Sequence, residues 1–116
     1  MTRMKDVRAV VRTECVQDLI QALRDADVPR FYVSHVHVLG AGIDPRRARR
    51  SPDEGAAYTE KAQVELLCAA DRVAVLVGVI RENACTGHRG DGVVIVSDVT
   101  DVVNVHTGEH DRIALL

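Results

Sequence analysis

A glycine-rich turn lies near the end of the sequence, where "TGHRGDG" precedes the apolar run "VVIV". Turns of this kind hold phosphates, because glycines allow several backbone N–H groups to approach one anion. After Arg89, however, the segment 86–109 contains no lysine or arginine. Taken alone, the turn is better interpreted as a plain connection between a helix and a strand, and the alternative is an anion site that keeps the backbone geometry but has little side-chain charge. Its predicted contact residues are Gly87, His88, Arg89, Gly90, Asp91 and Gly92.

Two histidines, His35 and His37, are spaced i, i+2 in the β-prone run "FYVSHVHVL". Alternate side chains share one face of a strand, so this spacing could present two imidazoles to a metal ion. No third ligand is evident nearby in the sequence. We interpret the pair as sheet-face histidines without a metal.

The remaining reactive side chains do not form a recognisable site. Cys15, Cys68 and Cys85 are far apart in the sequence, which is unlike a zinc knuckle or a disulfide framework. We interpret them as small apolar residues in a reducing compartment. No nucleophile and base form a catalytic arrangement, so the sequence does not predict an enzyme.

The composition predicts one small domain, residues 1–116, in the cytoplasm. The formal net charge of -2 argues against a dedicated nucleic-acid binder, which would be basic. The first residues lack the apolar core of a signal peptide, and no apolar run reaches the length of a membrane span.

The elements that must position the turn follow from the apolar periodicity. Strands are predicted at residues 7–12, 31–39, 62–68, 93–96 and 102–106. One helix follows Thr13, its predicted N-cap, and a second runs from Asp71, also a predicted N-cap, to about Ala84. Residues 43–61 contain two prolines and four arginines with little apolar pattern, which predicts a long exposed loop.

The order β-α-β-loop-β-α-β predicts an α+β fold of the ferredoxin-like βαββαβ type. Both helices would pack on one face of an antiparallel sheet. The strands are also apolar on the other face, so we expect neighbouring subunits to cover it.

Several motifs together resemble the PII family of signal-transduction proteins. They are "MKDVRAVVR" at the start, "VSHVHVLGAG" at the end of the second strand, "GAAY" in the loop, and the final pair "ENACTGHRGDGVVIV" and "VVNVHTGE". The resemblance covers nearly the whole chain. It implies a homotrimer that binds adenine nucleotides in clefts between its subunits. It also implies that the long loop, called the T-loop, docks on protein targets and changes conformation with the ligand.

The resemblance assigns several further residues to the nucleotide site. Gly40 and Gly42 resemble the glycines where the T-loop leaves the cleft, and Glu65 resembles a strand glutamate near the adenine. The chain departs from the family at three positions. Val93 stands where the family usually has a lysine, and Asn104 and His106 stand where it usually has two arginines.

These departures predict a preference for AMP or ADP over ATP, because a triphosphate needs more positive charge. Each lost charge-assisted contact to phosphate costs about 1.5 to 3 kcal/mol. His88 and Arg89 in the turn, or the arginines of the loop, could compensate. Near Ile43 and Asp44 the loop also lacks the family's usual glutamine, which counts against 2-oxoglutarate as a co-ligand.

The predicted partner-binding residues lie in the loop and comprise Arg46, Arg47, Arg49, Arg50 and Tyr58. In "GAAY", Tyr58 resembles a tyrosine that is nucleotidylated in some family members. Counted back from Glu65, however, it arrives a few residues late, so the two registers disagree.

The sequence thus predicts a PII-like regulatory protein that controls a protein partner, such as a transporter or a metabolic enzyme. Two alternatives remain open at this point. One is a metal-binding or small enzymatic protein on the same fold that uses His35, His37 and His106. The other is a scaffold that has lost ligand binding.

Overall fold

The computed structural model describes residues 3–51, 53 and 55–115. Two helices, α1 (Val16–Asp25) and α2 (Val73–Ala84), pack on a sheet, and each is preceded by one turn of 3-10 helix. The strands are β1 (Met4–Arg12), β2 (Phe31–Val38), β3 (Arg49–Ser51), β4 (Ala56–Ala69) and β5 (Gly92–Val99).

The sheet has the strand order β2-β4-β1-β5, and every neighbouring pair is antiparallel. Each helix connects two strands that are parallel and have one strand between them, as in the split βαβ units of the ferredoxin-like plan. This is the ferredoxin-like arrangement, and the predicted fold class is confirmed. The short strand β3 pairs only with the first residues of β4.

The core lies between the helices and one face of the sheet. Alternate residues of β1 and β4 point into it, as the register Val7↔Leu66 and Ala9↔Val64 requires. The buried residues Leu19 and Leu23 of α1, with Leu76 and Ile80 of α2, cover them. Burial of each such side chain contributes about 1.5 to 3 kcal/mol to folding. A core of Val, Leu, Ile and Ala fits a chain with few aromatic residues.

The opposite face of the sheet remains open in the protomer. One row across the strands joins Tyr32, Glu65, Arg8 and Ile95, and the next contains Val10 and Val93. Tyr32, Val93 and Ile95 are each more than two-fifths exposed. An apolar face of this kind is typical of an interaction surface.

The prediction of an exposed loop over residues 43–61 is wrong for the second half of that range. Residues 56–61 begin β4, which is 14 residues long, and residues 49–51 form β3 against it. Thr59 and Lys61, expected in an exposed loop, are buried. Local pattern missed these strands because their pairing partners, rather than their own apolar content, hold them.

The predicted strand at 102–106 is also wrong. Val103 makes a single bridge to His110, and residues 105–107 form a turn. The side chain of Asn104 accepts hydrogen bonds from the backbone N–H groups of His106 (2.9 Å) and Thr107 (3.0 Å). These bonds stabilise a turn in competition with a strand.

Neither predicted N-cap makes a capping hydrogen bond. Thr13 and Asp71 lie inside the 3-10 turns that precede the helices, and the residues at the caps themselves, Cys15 and Arg72, have no side-chain cap bond. The 3-10 turn supplies backbone bonds where a side chain was expected. Within the described ranges, no helix is long and apolar enough to cross a membrane.

Candidate functional site

The glycine turn lies between the end of α2 at Ala84 and the start of β5 at Gly92. Gly90 and Gly92 both have positive φ, 95° and 119°, which L-residues rarely adopt. A Cβ on Gly92 would lie 1.8 Å from the carbonyl oxygen of Val10. The second glycine of "GDG" is therefore required by the close approach of β1, whatever the turn binds.

Asp91 holds the turn together from within. Its carboxylate accepts hydrogen bonds from the backbone N–H groups of Thr86 (2.9 Å) and Gly87 (3.1 Å) and from the Thr86 hydroxyl. The hydroxyl bond, followed by the backbone bonds and the nearby Arg12, holds the pKa of Asp91 far below its usual range. Asp91 is thus a fixed negative charge whose hydrogen bonds shape the turn.

Arg12, the last residue of β1, connects the turn to the base of the loop. Its guanidinium is buried and donates to Asp91 Oδ1 (3.1 Å) and to the carbonyl oxygen of Arg89 (2.8 Å). A third donor, Nη1, pairs with the buried carboxylate of Asp44. One planar side chain with several donors therefore fixes two segments at once.

Lys61 of β4 lies beside Arg12 and is only 1% exposed. Its ammonium group donates to the carbonyl oxygen of Gly90. Burial, and then the neighbouring Arg12 charge, lower the pKa of Lys61, while Asp91 raises it. Two cations directly opposite each other in a sheet repel. Here the two carboxylates of Asp44 and Asp91 offset that repulsion.

These two cations also orient the peptide groups of the turn. The carbonyls of Arg89 and Gly90 point at Arg12 and Lys61. In a trans peptide the next N–H points the opposite way. The N–H groups of Gly90 and Asp91 are therefore directed away from the buried cations. Successive N–H groups with this orientation are the basis of an anion nest.

Asp44 fixes the base of the loop against the turn. Its backbone N–H donates to the Thr59 hydroxyl (2.8 Å), and its Oδ1 accepts the Arg46 N–H (3.0 Å). A Cβ added to Gly90 would lie 3.1 Å from both Cα and Cβ of Asp44. The turn and the loop base are thus closely packed at Gly90.

Not all of the predicted nucleotide residues come together in one protomer. Glu65 lies four residues along β4 from Lys61, which is about 13 Å, and it faces Arg8. A hydrogen bond with Asp6, with burial, raises the pKa of Glu65. Val93 is exposed on the open sheet face. Gly40 and Gly42 form a 3-10 turn after β2, close before Asp44 in the chain.

Asn104 and His106 belong to the C-terminal turn. Besides the bonds to residues 106 and 107, the Asn104 amide donates to the carbonyl oxygen of Ala114 (2.9 Å). Its hydrogen-bonding groups therefore hold the chain end. His106 is exposed.

The predicted partner-binding residues divide into two groups. Arg46 Nη2 lies 3.3 Å from Nδ1 of His88 in the glycine turn, and Arg47 pairs with Glu14. Arg49 and Arg50 lie in β3, opposite Tyr58 and Ala57. The ring of Tyr58 stacks on His37 with centroids 4.0 Å apart.

The histidines are not gathered into a metal site. His35 lies 4.0 Å from a carboxylate oxygen of Glu60, His37 stacks on Tyr58, and His106 is in the C-terminal turn. Within residues 3–51, 53 and 55–115, no three His, Cys, Asp or Glu side chains are grouped to hold a metal ion.

The sequence analysis missed four residues of this site, namely Arg12, Asp44, Thr59 and Lys61. Arg12 was assigned to a strand end, and the other three to an exposed loop. A usable signal was the basic residue that ends the predicted strand 7–12 and the basic residue just before the predicted strand 62–68. Only the register Arg12↔Lys61, however, brings those two residues together.

A family model described as nitrogen regulatory protein P-II matches residues 4–109 of the sequence. The chain belongs to the P-II family. The resemblance inferred from the motifs is thereby confirmed. The P-II match includes the glycine turn, the loop and Arg12.

Two curated relatives match this chain over most of its length. Nitrogen regulatory protein P-II 1 of Methanothermobacter thermautotrophicus is 35% identical over 115 residues, which are 99% of this chain and 100% of the relative. The nitrogen fixation nifHD region GlnB-like protein 1 of Methanothermococcus thermolithotrophicus is 32% identical over 91% of this chain and 97% of its own length.

Solved P-II structures have the same fold. Arabidopsis thaliana PII bound to citrate superposes with a TM-score of 0.79 at 30% identity, covering 97% of this chain and 92% of that one. The B. subtilis GlnK-ATP complex gives a TM-score of 0.78 and covers 97% of both chains. At 23% identity, the second likeness shows the fold alone.

Proposed function

We propose that this P-II protein is a homotrimeric regulator whose glycine turn binds an adenine nucleotide at clefts between subunits. Its loop then controls a protein target, such as a transporter or a metabolic enzyme. The observation that carries the proposal is the bridge made by Arg12. That side chain holds Asp91 and the Arg89 carbonyl in the turn and Asp44 at the loop base. A ligand that moves the turn would therefore also move the loop.

Two features support an anion as the ligand. The N–H groups of Gly90 and Asp91 are directed away from Arg12 and Lys61 and so are placed to bind an anion. The Arabidopsis relative, 30% identical to this chain, is described as bound to citrate, a multiply charged anion. Both agree with a phosphate-bearing effector.

We propose that AMP or ADP binds better than ATP. Arg12 and Lys61 are buried and already donate to protein groups. Val93, Asn104 and His106 add no permanent charge. With few cations free, the site would neutralise a monophosphate or diphosphate more fully than a triphosphate.

We also propose a regulatory rather than an enzymatic role. The ordered side chains of the site, Asp91, Arg12, Asp44 and Lys61, bond mainly to one another and to the backbone. They form a rigid support for a binding turn. A nucleophile activated by a neighbouring base would be arranged differently.

Calorimetry with AMP, ADP and ATP on wild type and Gly90→Glu tests the nucleotide site. Glutamate at 90 would place a Cβ against Asp44, force a positive φ and add a negative charge at the nest. We expect at least a tenfold loss of affinity for the preferred nucleotide, which is about 1.4 kcal/mol.

Gly55→Glu is the matched control, because Gly55 also has positive φ but no atom lies within 4 Å of a Cβ added there. It should bind as wild type does. Equal binding by wild type and Gly90→Glu would place the nucleotide elsewhere. No binding of any of the three nucleotides to wild type would favour the scaffold alternative.

A further inference from the structure

Arg46 is the loop arginine that reaches the glycine turn. Its Nη2 lies 3.3 Å from Nδ1 of His88. A guanidinium only donates hydrogen bonds, so Nδ1 of His88 must accept. The ring proton of neutral His88 is then on Nε2. Two side chains can therefore still donate hydrogen bonds at the turn. Arg46 donates through its remaining N–H groups and His88 through Nε2–H.

The same two side chains line a groove between the loop and the turn. The groove has a volume of about 350 Å³, and its other walls are Arg12, Glu14, Arg47 and Thr86. Arg12 is committed to Asp44 and Asp91, and Arg47 pairs with Glu14. In the part of the chain that the structure describes, no carboxylate pairs with the side chain of Arg46. Among the described residues that line the groove, Arg46 is thus the permanently charged side chain that is left to bind an anion.

We propose that Arg46 and His88 form a phosphate subsite in this groove. The inference rests on the proposed nucleotide site and deepens it. The ligand class is a phosphate group of an adenine nucleotide beyond the one held by the backbone of the turn. Guanidinium and imidazole N–H groups together suit such an anion, since both form charge-assisted or directional bonds to phosphate oxygens.

The position of Arg46 in the chain gives this contact a second effect. Its backbone N–H donates to Asp44 Oδ1 (3.0 Å), and Asp44 is the residue that Arg12 holds. A phosphate held by the Arg46 side chain would therefore fix the loop base as well. Arg46 would act as a ligand contact and not only as part of a partner-binding surface.

The test compares Arg46→Gln with Arg50→Gln by calorimetry, using AMP, ADP and pyrophosphate. Both variants remove one charge from the same loop, but Arg50 lies in β3 and does not line the groove. We expect Arg46→Gln to weaken ADP binding about tenfold and AMP binding about twofold or less. Arg50→Gln should change neither by more than twofold. Arg46→Lys should recover part of the loss, because it restores charge without the planar fork.

Equal losses in Arg46→Gln and Arg50→Gln would mean general electrostatic attraction and would overturn the subsite. So would unchanged ADP binding in Arg46→Gln. If wild type binds no nucleotide, the proposed function fails, and pyrophosphate then decides the subsite alone. Pyrophosphate binding that Arg46→Gln removes would support the subsite, and absence of pyrophosphate binding to wild type would overturn it.

Discussion

At the scale of single residues, the ion pair between Arg12 and Asp44 is the most deeply buried of the ion pairs among the described residues. Both side chains are at least 94% buried. A charge in that position is tolerated only with a partner, because desolvation costs several kcal/mol per ion. Their pairing fixes the loop base more firmly than an exposed salt bridge would, since exposed pairs contribute little.

Replacing Arg12 with Met should destabilise the fold by about 3 to 5 kcal/mol, because Asp44 would remain buried without its counter-ion. Urea unfolding of the variant and of wild type measures the difference. The double variant Arg12→Met, Asp44→Asn should recover part of the loss, since it removes both charges. A single-variant loss below 1 kcal/mol would show that Asp44 does not depend on Arg12.

The sequence allowed the glycine turn to be located but not its supports. "GDG" is recognisable because positive φ and close backbone approach leave a local signature. Arg12, Asp44, Thr59 and Lys61 leave none, since they meet only after two strands pair in one register. Their chemistry depends on burial, and the burial of a polar residue is decided by its distant neighbours.

At the scale of elements, the glycine turn and β5 are joined at a point of close packing. Gly92 combines a φ of 119° with a position where any Cβ would meet the Val10 carbonyl. The start of β5 can pair with β1 only because this residue has no side chain.

Gly92→Ala should therefore lower the melting temperature far more than Gly55→Ala. Gly55→Ala should destabilise the fold only through its positive φ, by about 1 to 2 kcal/mol. Gly92→Ala must also displace the β1 backbone. Differential scanning calorimetry of the two variants measures this. Similar melting temperatures would mean that β1 and β5 can separate at little cost.

The helices and the central strands were predictable because apolar periodicity is a local property. β3 and the first six residues of β4 were not predictable in this way. Residues 56–58 are held by pairing with β3 and residues 59–61 by pairing with β2, and half of these six residues are polar. The prediction for residues 102–106 was wrong in the opposite sense, because a strand was predicted where there is none. The valines of this segment favour a strand, but the Asn104 side chain stabilises a turn.

At the scale of the whole molecule, the open sheet face is the surface that the proposed trimer would bury. Ile95 lies on this face in the same row across the strands as Tyr32, and it is 41% exposed in the protomer. An aspartate placed there would lie opposite Arg8, and covering it with a subunit would still cost several kcal/mol of desolvation.

Ile95→Asp should dissociate the trimer, and light scattering coupled to size exclusion measures the mass. Val75→Asp serves as the matched control, because Val75 is exposed on α2, away from the sheet face. It should keep the wild-type mass. A trimeric Ile95→Asp protein would mean that subunits meet through another surface.

The bridge made by Arg12 has a consequence for how such a protein would respond in a mixture of ligand and target. If a nucleotide stabilises this arrangement of turn and loop and so strengthens target binding, the target must strengthen nucleotide binding by the same factor. The concentration at which the protein responds to its effector would then be a property of the complex. An abundant target would make the same chain a more sensitive detector than it is alone.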